Sequence, residues 1–259
     1  MKHLKLSALV IGATMATSVN ADSLSFKVGL DAWNPQSNLA FGEVPNLGNP
    51  DATLQAFNTD KKWSGTAYLA VEHFIPLIPN FMIRQNEIEV AGSALVNNWK
   101  FADYPFVNQN VAADMDASST DIVLYYELID KVLGLGIFEV DLGVNYRKYK
   151  GALRATPIGG VDDGRRVERS FTDGVIMGYV AAKAHIPGIG LYGFVDGYVG
   201  ANAGTHTDYQ VGLGWAFTED EDLKVKVGYR NMKIDSNDLS KLRLNTELDG
   251  VFAGIELRL

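Results

Sequence analysis

His206 and Asp208 stand two residues apart in GTHTDYQ, and their types suit acid–base chemistry. An imidazole can take a proton while a carboxylate holds it in orientation. A hydrolase built on this pair needs an opposing acid to hold the attacking water, and Asp60 in FNTDKKW is the residue on offer. The competing reading is two polar residues at the end of a strand. Gly188 to Gly193, GIGLYG, has the GxGxxG spacing. A phosphate cradle needs a strand before that motif and a helix after it. Here Pro187 precedes it and an alternating run follows, which reads as a tight turn. Asp162-Asp163-Gly164 and the run Glu219 to Asp222 are acidic, but calcium needs six to eight converging oxygens at set spacings, so both read as solvated turns. No cofactor or metal is expected. Arg165, Arg166 and Arg169 form a basic cluster suited to anionic headgroups or to a solvated loop.

These residues sit in a chain dominated by a period of two. In EVDLGVNYRKYK, Glu139 to Lys150, Val140, Leu142, Val144 and Tyr146 alternate with Glu139, Asp141, Gly143, Asn145 and Arg147. Such a strand has one apolar and one polar face. Ten segments of about this kind follow one another: residues 24–31, 66–72, 81–91, 121–129, 137–150, 175–186, 191–201, 208–217, 223–232 and 247–259. The third changes parity between Ile83 and Ile88, which predicts a bulge near Gln85. The polar faces collect Lys27, Asp31, Glu72, Glu127, Glu139, Asp141, Arg147, Asp196, Lys224, Lys226, Arg230, Glu256 and Arg258. The apolar faces carry Tyr126, Tyr146, Tyr209, Trp215, Phe217 and Tyr229 near segment ends, where aromatic girdles of a membrane barrel fall.

The first 21 residues have a positive start at Lys2 and Lys5, an apolar run from Leu6 to Ala16 and small residues at Val19-Asn20-Ala21. That is the pattern of a secretory signal peptide, with an apolar run too short to span a bilayer. The remaining stretch, 22–259, reads as one domain. It holds 31 acids against 21 bases, since two of the 23 basic residues lie in the signal segment. That balance disfavours nucleic acid, whose phosphates need a basic stripe. Cysteine is absent, so neither disulfides nor thiolate chemistry are available.

The connections separate a soluble sandwich from a barrel in lipid. HFIPLIPN, DKVLGLG, PGIG and TEDED are short, whereas the links 34–62, 92–120, 148–174 and 233–246 are long, with only the link 202–207 brief among that second set. Alternating short and long connections are what a ten-stranded, antiparallel, up-and-down transmembrane β-barrel shows, with short periplasmic turns and long extracellular loops.

Three stretches resemble a family of small Gram-negative outer-membrane β-barrel proteins without an assigned activity. They are Glu72-His73 with Pro76-Leu77-Ile78-Pro79-Asn80, then Thr120 to Asp130 (TDIVLYYELID), then Gly190-Leu191-Tyr192. The resemblance implies an outer-membrane location and supplies no catalytic residues. It also implies insertion by the barrel assembly machinery. Relatives end on an aromatic residue, where this chain ends on Leu259 with the alternation Val251, Ala253, Ile255, Leu257 intact.

A ten-stranded lumen lies close to the size that side chains fill, so Glu72, Glu127, Glu139, Asp141, Arg147, Lys226, Arg230 and Glu256 are expected to pair and plug it. Lys226 and Arg230 approach Glu256 or Arg258 in the neighbouring strand only as far as the register, which the sequence does not fix, brings them together. The expected function is a structural or surface-interaction barrel without enzymatic activity, monomeric, with outer-membrane lipid and lipopolysaccharide as its surroundings. A narrow pore for small solutes is the alternative, followed by a hydrolase at the rim using His206 and Asp208.

Overall fold

The structure, a computed structural model, describes residues 24–45, 52–73, 75, 77–129, 137–160, 162–200, 204–217 and 222–259. The signal segment and the acidic run 219–221 lie outside the described residues. Fourteen strands follow in order: β1 Leu24–Trp33, β2 Gln36–Glu43, β3 Gln55–Asp60, β4 Ser64–His73, β5 Asn80–Glu87, β6 Glu89–Phe101, β7 Tyr104–Asp116, β8 Ser119–Ile129, β9 Phe138–Ile158, β10 Val167–His185, β11 Leu191–Gly200, β12 Thr205–Ala216, β13 Leu223–Leu239 and β14 Leu242–Arg258.

Their pairing resolves these pieces into ten long strands. β1 and β2 both lie against β14, the first along Phe252–Arg258 and the second along Leu242–Asp249. β7 and β8 likewise share β9. β3 pairs with β2 and β6 above, as β4 pairs with β1 and β5 below. Each of β1–β2, β3–β4, β5–β6 and β7–β8 is thus one strand with a kink. The β1–β14 pairing closes an antiparallel ten-stranded barrel, so no sheet edge is left open in lipid.

The lower barrel turns its apolar faces outward. Val28 and Leu30 on β1, Ile122 and Leu124 on β8, Val144 on β9 and Val211 and Leu213 on β12 are all exposed. Tyr126, Trp215 and Phe217 project at the end that carries the short turns, and Tyr146, Tyr209 and Tyr229 at the other. Exposed apolar side chains between two aromatic belts are the surface of a barrel in lipid. Leu213 sits between Tyr209 and Trp215 on one strand and is 56% exposed. Leu213→Arg is therefore expected to destabilise the barrel in lipid vesicles by about 2–4 kcal/mol, whereas Leu213→Val changes little. Equal urea midpoints for the two variants would show that this face does not meet hydrocarbon.

Above the outer girdle the pattern inverts, and the long connections are not slack loops. They continue as strand and form a tower whose interior is apolar. Phe41, Phe57, Trp99, Phe101 and Phe106 pack there, with Phe41 and Phe57 stacked at 5.1 Å and Trp99 and Phe101 at 5.2 Å. Leu39, Val96, Leu153, Leu239 and Leu244 surround them, all buried. The parity change in segment three has the same cause. The register of β5 runs unbroken through Gln85 against both β4 and β8, so no bulge lies there. The change comes at Ile88, where the strand kinks and the side chain turns into the tower core. Two tower hairpins close on two-residue turns, Ala102-Asp103 and Ser240-Lys241, with all four residues at positive φ. That is the conformation whose twist matches the flanking strands. Gly188 and Gly190 also have positive φ, at 84° and 68°, in the turn leading into β11. The GxGxxG spacing belongs to that turn.

Candidate functional site: the sealed lumen

Inward-facing residues form three layers along the bore. Nearest the short turns, Glu139 lies 3.5 Å from Lys183 and 3.1 Å from His185 Nε2. Glu127 is exposed at this mouth, and Arg258 donates to Ser25 Oγ beside it. One step up, Lys27 donates to Glu72, which also accepts from Tyr125 Oη at 2.8 Å. Glu256 accepts from Tyr68 Oη at 2.5 Å and lies 3.7 Å from Lys224, while Lys226 pairs with Asp31 at 2.9 Å. Asp141 and Asp196 line the same space.

The third layer crosses the bore. Asp208 of β12 accepts from Arg230 Nε and Nη2 and from Arg147 Nη2, each at 2.8 Å. Arg147 also grips Asp121 through Nε at 2.6 Å and Nη2 at 2.9 Å. Arg230 reaches Thr66 Oγ1 and Asn86 Oδ1 on the far wall, and Asn86 donates to Asp121. A third guanidinium, Arg84, stands 3.9 Å from Asp208. Tyr198 has Arg84 and Arg147 against its ring, and Trp33 lies against Arg230. All of these charged groups are buried. Two acids among three arginines, with neutral hydrogen-bonding partners filling the remainder, form a cross-linked disc across the bore.

The register decides which of the expected partners meet. Arg230 does not go to Glu256 or Arg258; its side chain goes to Asp208 on the other neighbouring strand, β12, and across the lumen to Thr66 and Asn86, while Lys226 finds Asp31 on β1. Arg84, Asp121, Lys183, Tyr68 and Asn86 were not singled out in the sequence. Their signal is the same alternation: Asn80, Met82, Arg84 and Asn86 share the inner face of β5, as Asp121, Val123 and Tyr125 share that of β8.

His206 and Asp208 do not form a rim pair, because the neighbouring walls carry the tower above the end of β12. Both side chains are buried and they take different partners: His206 Nδ1 lies 3.4 Å from Tyr149 Oη, and Asp208 is held by arginines. Asp60, on β3 of the tower, is exposed and does not oppose them. The Asp162-Asp163 turn is also accounted for, since Asp162 accepts from Tyr104 Oη and Asp163 from the Gly159 amide.

Arg169 faces Leu153 of β9, seven residues above Tyr146. At about 3.3 Å per residue that is roughly 20 Å along the strand. It bridges Glu43 and Asp103, and Arg165 lies against the Tyr104 ring. This cluster ties the tower tip together and stands above the level of lipid headgroups. Nearby, the hydrogen bond from Arg154 holds the Glu168 carboxyl below the usual carboxylate range.

No protein-family model matches the chain, and no curated protein sequence does. Solved structures match its shape. The outer-membrane protease OmpT from Escherichia coli aligns with TM-score 0.56 at 9% identity, covering 95% of this chain and all of that one. The translocator domain of the autotransporter NalP from Neisseria meningitidis gives 0.45 at 12%, over 93% and 90%. The attachment invasion locus protein Ail of Yersinia pestis gives 0.38 at 9%, over 92% and 99%. The OmpT likeness is one of fold. Together with the lipid-facing belt and the one-sided distribution of short turns, it makes this chain an integral outer-membrane β-barrel.

Proposed function

We propose that the protein is a closed barrel that holds a rigid tower above the outer membrane as a surface-interaction element, and that it neither conducts solutes nor catalyses a reaction. The observation that carries this reading is the succession of two seals in one bore: the buried Asp208 disc and, directly above it, a core of packed aromatic and aliphatic side chains. A solute would have to break a network of paired charges and then cross an apolar interior. The absence of catalysis is supported by the placement of His206 and Asp208, which are buried and separately engaged. Lipopolysaccharide and other molecules outside the cell would then meet the tower wall and tip. Proteoliposomes containing the protein are expected to hold a small sugar as long as empty liposomes do. Swelling at a rate that rises with protein content would favour a narrow pore instead.

A further inference from the structure

Below the Asp208 disc the bore widens into a cavity of about 100 Å³. A single buried water needs roughly 10–15 Å³ of such space. Side-chain exposure falls steadily on the way in, from 24% at Glu139 and 23% at Lys183, through 13% at Glu72 and Lys226, to 3% at Arg84 and zero at Asp208. The cavity is therefore a vestibule that opens toward the short-turn, periplasmic side and ends at the disc.

Among the described residues, three polar groups at its floor are left without hydrogen-bond partners. Arg84 Nε and Nη2 make no hydrogen bond although the side chain is buried, and Nη2 stands 3.9 Å from Asp208, beyond hydrogen-bond reach. These two atoms form one edge of the guanidinium, the edge whose parallel N–H bonds match the two oxygens of a carboxylate. Asp196 Oδ1 and Gln210 Oε1 are likewise unpartnered, and the two residues are direct neighbours across the β11–β12 ladder. Two adjacent acceptors suit an ammonium group, which carries three donors and no acceptor. All three residues line the cavity.

A lone anion on Arg84 would sit beside Asp196 in a lining that holds five acids and four bases. A lone cation at Asp196 would face Arg84. Only a ligand carrying both charges a few ångströms apart satisfies each without leaving an unpaired buried charge. We propose that the vestibule floor binds a small zwitterion of the α-amino acid class, its carboxylate on Arg84 and its ammonium between Asp196 and Gln210. Tyr179, Tyr198 and Met82 enclose the remaining side and limit the ligand to a short side chain.

The proposal rests on the sealed bore, which makes the vestibule a dead end. Titrating glycine and L-alanine into the purified full-length barrel in detergent, read by calorimetry, should show saturable binding. Acetate and methylamine, each one half of the zwitterion, should bind at least about tenfold more weakly, a comparison that needs no variant. Asp196→Asn and Arg84→Lys, checked for folding by circular dichroism, should each weaken glycine by about tenfold or more. A folded wild-type barrel without saturable glycine binding, acetate or methylamine binding as well as glycine, or folded variants that bind like wild type would overturn the proposal. Solute flux tests the seal separately, so either result can fail alone.

Discussion

Replacing Asp208 with alanine is expected to cost the barrel about 3–5 kcal/mol, the range for removing one partner of a buried ion pair. Arg147 keeps two hydrogen bonds to Asp121. Arg230 keeps only neutral partners, Thr66 and Asn86, so its charge is left buried without an acid. Most of the loss comes from that stranded cation. Adding Arg230→Met to Asp208→Ala should then recover part of it, because the second change removes the uncompensated charge and leaves an apolar chain of similar length. Urea unfolding in lipid vesicles reads both numbers. Additive losses in the double variant would show that the two residues do not form one unit.

Trp99→Ala should have an effect of similar size in a different place. The indole packs against Phe41, Phe57, Phe101 and Phe106 at 5.2–5.7 Å and donates to the Thr53 carbonyl. Removing a buried Trp costs about 3–5 kcal/mol through lost contacts and the cavity left behind. The loss falls on the tower, whose strands gain nothing from lipid. Limited proteolysis from outside should cut the variant near the Ala102-Asp103 turn while the membrane-embedded strands stay protected. A variant as resistant as wild type would mean that the tower core does not hold those strands together.

The sequence pattern led to the barrel because lipid imposes one rule on every wall: apolar outward, polar inward, period two. Val211, Leu213 and Trp215 against Gln210, Gly212 and Gly214 show that rule undisturbed. The tower strands obey the opposite rule, since water surrounds them and the bore is apolar. Along β13 Val227 and Tyr229 face lipid, while Met232 and Ile234 face the core. A reader expecting the lipid phase to continue meets an inverted alternation at that point and takes it for a loop. The inner faces were legible as charged, but their partners were not. Pairing inside a lumen depends on register and tilt, so Asp208, two residues from a histidine, reads as half of a catalytic pair until the fold brings Arg230 of the neighbouring strand β13 and Arg147 of β9 to it. Gly143 shows the same limit at one position. A β-carbon there would lie 2.2 Å from the Leu124 carbonyl oxygen of the adjacent strand, so even a small inward side chain is excluded by backbone.

Single-channel recording in a planar bilayer addresses the sealed bore most directly. The wild-type barrel, inserted from detergent, is expected to give no steady conductance, and the combined Arg147→Ala and Arg230→Ala variant is expected to leak ions only when Trp99→Ala also opens the apolar core above the disc. A large, stable wild-type conductance that the double variant leaves unchanged would contradict the account.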